Sequence, residues 1–412
     1  MRKGMSRLLL IIPNLSPGGA QNVFKQHINF LTDRFVVHCC VFNWENTSRT
    51  DWPVSMISLD VPAGRNFFQK AIGFAMRVIK LRTIKKKFDI DITISHLEGA
   101  DYVNLLSKQS DKTILWIHGT KEFDANIKGS IGWLRKSILM PWLYQKADKI
   151  VTVSKGISDE LRRRYPKTEL KLKTIYNGFD LEHIQRLANE EVDSNYSSLC
   201  KNFIVIITHC RLALQKNIAG LISIVSALKD NTEFKWVILG DGELREEILA
   251  LCFQKQLSTH SVWSSDQWNE NKQVFFLGHQ NNPFAFLKKA RLYVMTSSWE
   301  GFPLALCEAM VCGLPVMATD CFTGPREILA PNVEVSSATK LPYRAQYGIL
   351  MPLLKANSSN AAHCWANEIV KGSKDTAMMN SYSEIGINRI HEFSSINSLR
   401  EVGELIESVR LM

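Results

Sequence analysis

Short apolar runs alternate along this chain with longer segments in which apolar residues recur at helical spacing. In the first half, residues 8–12, 36–42, 90–95, 113–118, 150–154 and 173–176 predict strands. A Gly-rich turn and a helix through Leu31 follow the first of them. The pattern restarts in the second half with strands expected at 203–208, 235–240, 274–277, 292–296 and 314–318. Strand–helix alternation predicts parallel sheets with right-handed crossovers. The stretch 181–200 is polar and rich in Asn, Ser and Glu, which suits a linker, and 390–409 reads as mostly helical. No internal repeat or low-complexity segment is evident. The expectation is an α/β protein with two Rossmann-like parallel-sheet domains. Doubly wound sheets bind ligands beyond the carboxyl ends of their strands, so two such domains are expected to face an inter-domain cleft.

The chain has 412 residues, which is long for one core and agrees with two domains. No apolar run reaches the ~18 residues of a membrane-spanning helix. The run at 8–12 follows Arg2, Lys3 and Arg7, but it is short and ends at Pro13, so a secretory signal is not expected. The nine cysteines are scattered, odd in number and without a C-x-x-C pair. That pattern argues for a reducing cytoplasm and against a disulfide framework or a zinc site. Charge is uneven: the first 190 residues carry a net +12 and the remainder −2. A partner or surface of negative charge is therefore expected to meet the first half.

The most informative stretch is Ser298-Trp299-Glu300-Gly301-Phe302-Pro303-Leu304-Ala305-Leu306-Cys307-Glu308-Ala309-Met310. Glu300 falls in a Gly/Pro loop after an apolar run, and Glu308 falls inside a helix expected at 304–312. A strand, a tight loop and a helix N-terminus in that order make an anion site, because free N–H groups and the positive helix end converge on the loop. Carboxylates beside it suit hydroxyl groups, so a nucleotide sugar is the natural occupant. The bare Glu-x7-Glu pair alone would read better as two solvated glutamates on a helix. The Gly-Phe-Pro-Leu loop and Cys312-Gly313-Leu314-Pro315-Val316 shift the balance.

The full string resembles the retaining nucleotide-sugar glycosyltransferases of the glycogen-synthase-like class, glycosyltransferase family 4. Its members include bacterial O-antigen, lipopolysaccharide and capsule sugar transferases. The resemblance covers nearly the whole chain and implies the GT-B architecture. The expected domains are an acceptor-binding domain over 1–185, a nucleotide-sugar domain over 195–385, and a C-terminal helix over 386–412 crossing back to the first domain.

Further motifs fit that resemblance. Pro17-Gly18-Gly19 lies between the first strand and helix, where glycines let the backbone approach a phosphate. On the residues alone a plain turn is equally good, and the family's comparable Gly-Gly loop favours the donor phosphates. Arg211 and Lys216, in Arg-x4-Lys-Asn after a strand, suit a diphosphate. Cys210 stands where many relatives have Gly, which makes Lys216 the firmer of the two. Leu239-Gly240-Asp241-Gly242-Glu243 reads as a tight turn with backbone near the nucleotide and Glu243 opening a helix. His118 ends a strand, and the resemblance implies that it contacts a sugar. Thr323-Gly324-Pro325-Arg326-Glu327-Ile328-Leu329 is similar to members that include N-acetylhexosamine transferases.

Basic residues gather at Arg77, Lys80, Arg82, Lys85, Lys86 and Lys87 and at Arg162–Arg164. Between them lies the Trp-rich stretch from Trp133 through Leu134 and Arg135 to Leu143. A basic-aromatic surface suits an anionic membrane leaflet, whereas solvated helix ends and a buried helix are the plainer alternatives. Nucleic acid is not expected, since no reader motif accompanies the charge.

The function expected is transfer of a hexose or N-acetylhexosamine from a UDP-sugar to a lipid-linked glycan acceptor in bacterial surface polysaccharide biosynthesis. GDP or ADP donors stay open. The location expected is the cytoplasmic face of the inner membrane. Glu308 is assigned to the ribose, and Glu300 to donor-sugar hydroxyls with backbone N–H groups around Gly301, Phe302 and Leu304. No metal is expected, because no D-x-D cluster ends a strand. A sugar-nucleotide epimerase on the same fold and a non-catalytic pseudo-transferase are the alternatives. The Glu-x7-Glu string disfavours the first, and intact Glu300, Glu308, Arg211 and Lys216 disfavour the second.

Overall fold

The computed structural model describes residues 5–16, 18–43, 52–62, 64–122, 132–133, 135–321, 323–333, 338–355 and 359–412. Arg2, Lys3, Pro17 and Leu134 lie outside the described residues. The chain divides into two compact units, residues 1–178 with 396–412 and residues 179–395.

Unit 1 is built on a parallel sheet of β1 (Arg7–Ile12), β2 (Val36–Val41), β3 (Met56–Ser58), β4 (Ile92–His96), β5 (Lys112–Ile117), β6 (Lys149–Thr152) and β7 (Leu172–Thr174). Their order is β3-β2-β1-β4-β5-β6-β7. The strands read as continuous apolar runs because both faces are covered: Leu8 to Ile12 are all fully buried. Chain order reverses between β1 and β4, which makes the crevice beyond their carboxyl ends a binding position. The connecting helices are α1 (Gly19–Thr32), α2 (Phe67–Lys87), α3 (Glu98–Leu106), α4 (Met140–Tyr144) and α5 (Lys155–Arg164).

Unit 2 carries β8 (Ile204–His209), β9 (Phe234–Leu239), β10 (Thr259–Ser261), β11 (Val274–Gly278), β12 (Leu292–Met295), β13 (Val316–Thr319), β14 (Tyr343–Ala345) and β15 (Gly348–Met351). Their order is β10-β11-β9-β8-β12-β13-β15-β14, parallel except for the edge pair β14–β15. Here the reversal falls between β8 and β12. The helices are α6 (Leu181–Ala188), α7 (Ser194–Asn202), α8 (Ile218–Ala227), α9 (Arg245–Gln254), α10 (Phe284–Lys289), α11 (Leu304–Val311), α12 (Pro325–Leu329), α13 (Ser359–Lys374) and α14 (Thr376–Ile390). The last helix, α15 (Ser395–Arg410), packs in unit 1, where Ser398 donates to the Tyr176 carbonyl at 2.7 Å.

Two expectations are corrected. The polar stretch 181–200 is not a linker but α6 and α7, both packed on α10. Ile184, Ala188, Tyr196 and Leu199 are buried, and the Tyr196 hydroxyl donates to the Phe286 carbonyl at 2.8 Å. Four apolar side chains at helical spacing suffice to dock the pair although its composition is polar.

The basic run at 77–87 is not one solvated surface. Lys85 is buried, ion-paired with Asp111 at 2.8 Å and bonded to the Asn104 side chain at 2.9 Å. Breaking such a pair typically costs about 3–5 kcal/mol. Arg77 and Lys80 turn back onto the carbonyls of Val61 and Leu59. Arg162 and Arg164 are paired with Asp159, Glu169, Glu122 and Glu160. No helix among the described residues is long and apolar enough to cross a membrane.

Candidate active site

The β8 and β12 strands end side by side at the reversal of unit 2, and two loops leave them there. The loop after β8 holds Lys216 and then Asn217, whose left-handed backbone (φ 49°, ψ 48°) caps α8 through its side chain to the Gly220 N–H. Asn is among the few residues that tolerate this conformation. Its Nδ2 also donates to the Leu354 carbonyl at 3.0 Å, so the position of Lys216 is fixed from both sides.

The loop after β12 holds Glu300 and is laced to the first. Ser298 N donates to the Gln215 carbonyl at 2.8 Å, Gln215 Nε2 to the Trp299 carbonyl at 2.8 Å, and Thr296 Oγ1 to the Lys216 carbonyl at 3.1 Å. Across this frame Lys216 Nζ meets Glu300 Oε1 at 2.7 Å, with Gln215 Nε2 on the other carboxylate oxygen at 3.3 Å. Burial alone would lower the pKa of Lys216. The Glu300 charge and hydrogen bond outweigh it and hold the ammonium above its ordinary range.

Gly301 and Phe302 lead into α11. The Phe302 ring is buried between Phe179 and Phe393, which anchors the loop. Leu304 opens α11, whose N-terminus has no side-chain cap, so its first-turn N–H groups stay available to an anion. Gly324 packs against this turn. A Cβ there would lie 2.6 Å from Pro303 Cδ, and its φ of +89° suits glycine alone. Thr323 Oγ1 donates to the Glu300 carbonyl. Arg326 is held by Asp320 and does not join the carboxylate cluster.

Glu308, on α11, lies 3.6 Å from His209 Nδ1 at the end of β8. Burial raises the Glu308 carboxyl to about 7, opposed by Lys216. Burial, with Lys216 and His279, lowers His209 to about 4. Lys216 therefore acts electrostatically on Glu300, Glu308 and His209 together.

Arg211 is placed apart. Its side chain is mostly exposed and its guanidinium lies 3.8 Å from Glu243. Glu243 does not open a helix as expected, because α9 begins at Arg245 with Glu246 and Glu247 in its first turn. Gly240 explains the loop's shape: at φ +125° a Cβ would sit 1.9 Å from the Cys210 carbonyl oxygen. The 240–242 turn thus presses directly on 210–212.

In unit 1, Gly18 and Gly19 follow β1, with Gly18 as N-cap of α1, and His118 follows β5. All three stand at the carboxyl edge of one sheet. His118 Nε2 is 2.9 Å from His96 Nδ1, and burial, with His27 and Lys121, lowers its pKa to about 3. The imidazole is neutral at ordinary pH. Between His96 and Glu98, Leu97 has φ 71° and ψ 151°, a region that costs a non-glycine residue about 1–3 kcal/mol.

Sequence reasoning missed His209, Gln215 and Thr323. His209 carried the same signal as His118, a histidine at the end of an expected strand. Gln215 and Thr323 fell inside motifs the sequence singled out, but nothing local assigned either of them a contact with the Glu300 loop.

Residues 17–183 match the family model for Glycosyltransferase Family 4, and residues 191–341 match that for Glycosyl transferases group 1. The chain is 29% identical over 331 residues to the N-acetylgalactosamine-N,N'-diacetylbacillosaminyl-diphospho-undecaprenol 4-alpha-N-acetylgalactosaminyltransferase of Campylobacter jejuni, covering 80% of this chain and 84% of the relative. It is 25% identical over 317 residues to a capsular polysaccharide biosynthesis glycosyltransferase of Staphylococcus aureus, covering 74% and 79%. Its fold is similar to that of the Anabaena protein HepE in complex with UDP and glucose, with TM-score 0.73, 18% identity and coverage of 98% and 100%.

Proposed function

Because the chain belongs to the GT-B glycosyltransferases, with a family 4 first half and a group 1 second half, we propose that it is a retaining enzyme of bacterial surface-glycan assembly. It moves a hexose or N-acetylhexosamine from a UDP-sugar to a hydroxyl of a lipid-linked glycan, at the cytoplasmic face of the inner membrane. The observation that carries the reading is the Lys216–Glu300 pair at the reversal of the unit 2 sheet, with Glu308 within the field of the same ammonium.

In this reading Glu308 accepts hydrogen bonds from the ribose hydroxyls, and Glu300 orients hydroxyls of the donor sugar. Lys216 and the N–H groups near Phe302 and Leu304 neutralise the diphosphate as it departs. Arg211 joins them by leaving Glu243, a weak exposed pairing. Gly18 and Gly19 offer backbone without Cβ to a phosphate, and neutral His118 a hydrogen bond to a sugar hydroxyl. The acceptor hydroxyl gives its proton to the leaving phosphate on the same face, so no separate base is assigned. Fixed cations supply the charge stabilisation, so no metal is required.

The test is incubation with a panel of labelled nucleotide sugars and extracted membrane lipid, with NMR of the product linkage. Transfer from a UDP-sugar with the α-anomeric configuration kept, and undiminished by EDTA, is expected. An inverted linkage, or activity lost to EDTA and restored by magnesium, contradicts the mechanism. Failure of every donor contradicts the function.

A further inference from the structure

α2 is apolar on two opposite faces. One face, including Phe74, Val78, Leu81 and Ile84, packs into the core of unit 1. On the other, Phe68, Ile72, Met76 and Ile79 form a stripe about 80° wide at ~100° per residue. All four are exposed, Phe68 at 71% and Ile79 at 65%, and Phe67 just before them is exposed at 76%. A helix apolar all round is ordinarily enclosed all round. Single exposed apolar side chains need no explanation, but a continuous stripe marks a contact surface.

The charge on this helix says what the contact is. α2 contains no Asp or Glu. With Lys85, Arg77 and Lys80 turned to internal partners, Arg82, Lys86 and Lys87 are exposed cations in line with the stripe or beside it. A second copy of the chain would bring the same cations face to face, so self-association through this face is disfavoured electrostatically. An anionic lipid surface satisfies both features: acyl chains for the stripe and headgroups for the cations. α3 packs on both α2 and α4. On α4 the half-exposed Trp142 has the Lys146 ammonium 3.7 Å from its ring centroid, a pairing suited to the headgroup level.

We propose that α2 lies in the plane of an anionic bilayer surface, with Phe68, Ile72, Met76 and Ile79 in the acyl boundary and Arg82, Lys86 and Lys87 among the headgroups. This deepens the membrane-surface part of the reading above. Vesicle binding is measured without nucleotide, so the two readings fail separately.

The experiment is flotation of the full chain with phosphatidylglycerol/phosphatidylethanolamine vesicles and with phosphatidylcholine vesicles, at low and high salt. The wild type is expected to float with the anionic vesicles. High salt should weaken binding without abolishing it, since screening acts on the cations and not on the stripe. Phe68→Ser with Ile72→Ser should lower partitioning by roughly tenfold or more at either salt. Arg82→Gln with Lys86→Gln and Lys87→Gln should erase the preference for anionic over neutral vesicles. All five positions face solvent, so thermal midpoint and uridine affinity are expected to stay at wild-type values in both variants. The proposal is overturned if the wild type floats with neither vesicle, or if the apolar variant floats as well as the wild type. It is equally overturned if the wild type is a dimer in solution that the apolar variant converts to monomer.

Discussion

Lys216 is where the electrostatics of the candidate site concentrate. It is a preorganised cation, already oriented by Glu300 and by the αL backbone of Asn217. Such a group gains most when negative charge develops beside it. Lys216→Met keeps the apolar stem and removes the charge. It is expected to lower kcat by about 10² to 10³, or roughly 2–4 kcal/mol in the transition state, with a much smaller change in uridine affinity. Near-normal turnover in a folded variant removes Lys216 from the mechanism. Glu308 calls for a different readout. Its carboxyl is raised to about 7 from 4.5, so at this group folding takes up a proton and stability falls as pH rises across that window. His209 is lowered from 6.5 to about 4, so its contribution rises with pH over about 4 to 6.5. The two oppose each other, and the thermal midpoint reports neither. Ligand affinity does: ribose hydroxyls are best accepted by the ionised carboxylate. Uridine, which has no titrating phosphate, should bind up to about tenfold more weakly per pH unit below about 7. Glu308→Gln should flatten that dependence. A wild-type affinity constant from about pH 6 to about pH 8 contradicts the ribose assignment.

At the scale of elements, the site depends on turns that admit only glycine. Gly240→Ala places a methyl 1.9 Å from the Cys210 carbonyl oxygen at a φ of +125°. The 210–216 loop must move or β9 must end differently. We expect a loss of at least about 1–3 kcal/mol in denaturant titration, together with reduced turnover, because Lys216 lies on the displaced loop. A variant with the wild-type midpoint and activity shows that the turn is not tight in solution. The Gly240-Asp241-Gly242 turn was legible in the sequence because glycine after an apolar run has a local cause. So were the central strands, whose apolar runs follow from burial on both faces. β3, β10, β14 and β15 were not: they are strands of three or four residues whose pairing is decided by neighbours distant in sequence. The helices α6 and α7 were hidden by polar composition, since a few spaced apolar residues set their docking. Glu300, Glu308 and Lys216 could be singled out by spacing, whereas the burial of Lys85 against Asp111 is a tertiary fact. Three successive lysines look alike until the fold turns one of them inward.

For the whole molecule, the chain's return from 395 to 412 decides how unit 1 is completed. The segments entering and leaving unit 2 pair with each other, Phe179 N donating to the Phe393 carbonyl at 2.9 Å and Ser395 N to the Phe179 carbonyl at 2.8 Å. From there α15 runs into unit 1, where Gly403 lies against the Phe30 ring. Val402, Leu405, Ile406 and Val409 are buried. At about 1.5–3 kcal/mol each, their burial is worth roughly 6–12 kcal/mol, comparable with the roughly 5–15 kcal/mol of a whole domain. Unit 1 therefore should not survive without its last helix, although the first 178 residues contain its entire described sheet. A chain ending at Ser395 is expected to lose helical signal beyond that of α15 itself and to lose transfer to acceptor, while uridine binding persists, because Glu308, the residue assigned to the ribose, lies in unit 2. Ile406→Ala, a milder form of the same change, should cost about 2–5 kcal/mol. If the truncated chain unfolds with the wild-type midpoint and keeps transfer activity, α15 is an appendage and the boundary of unit 1 lies at Gly178.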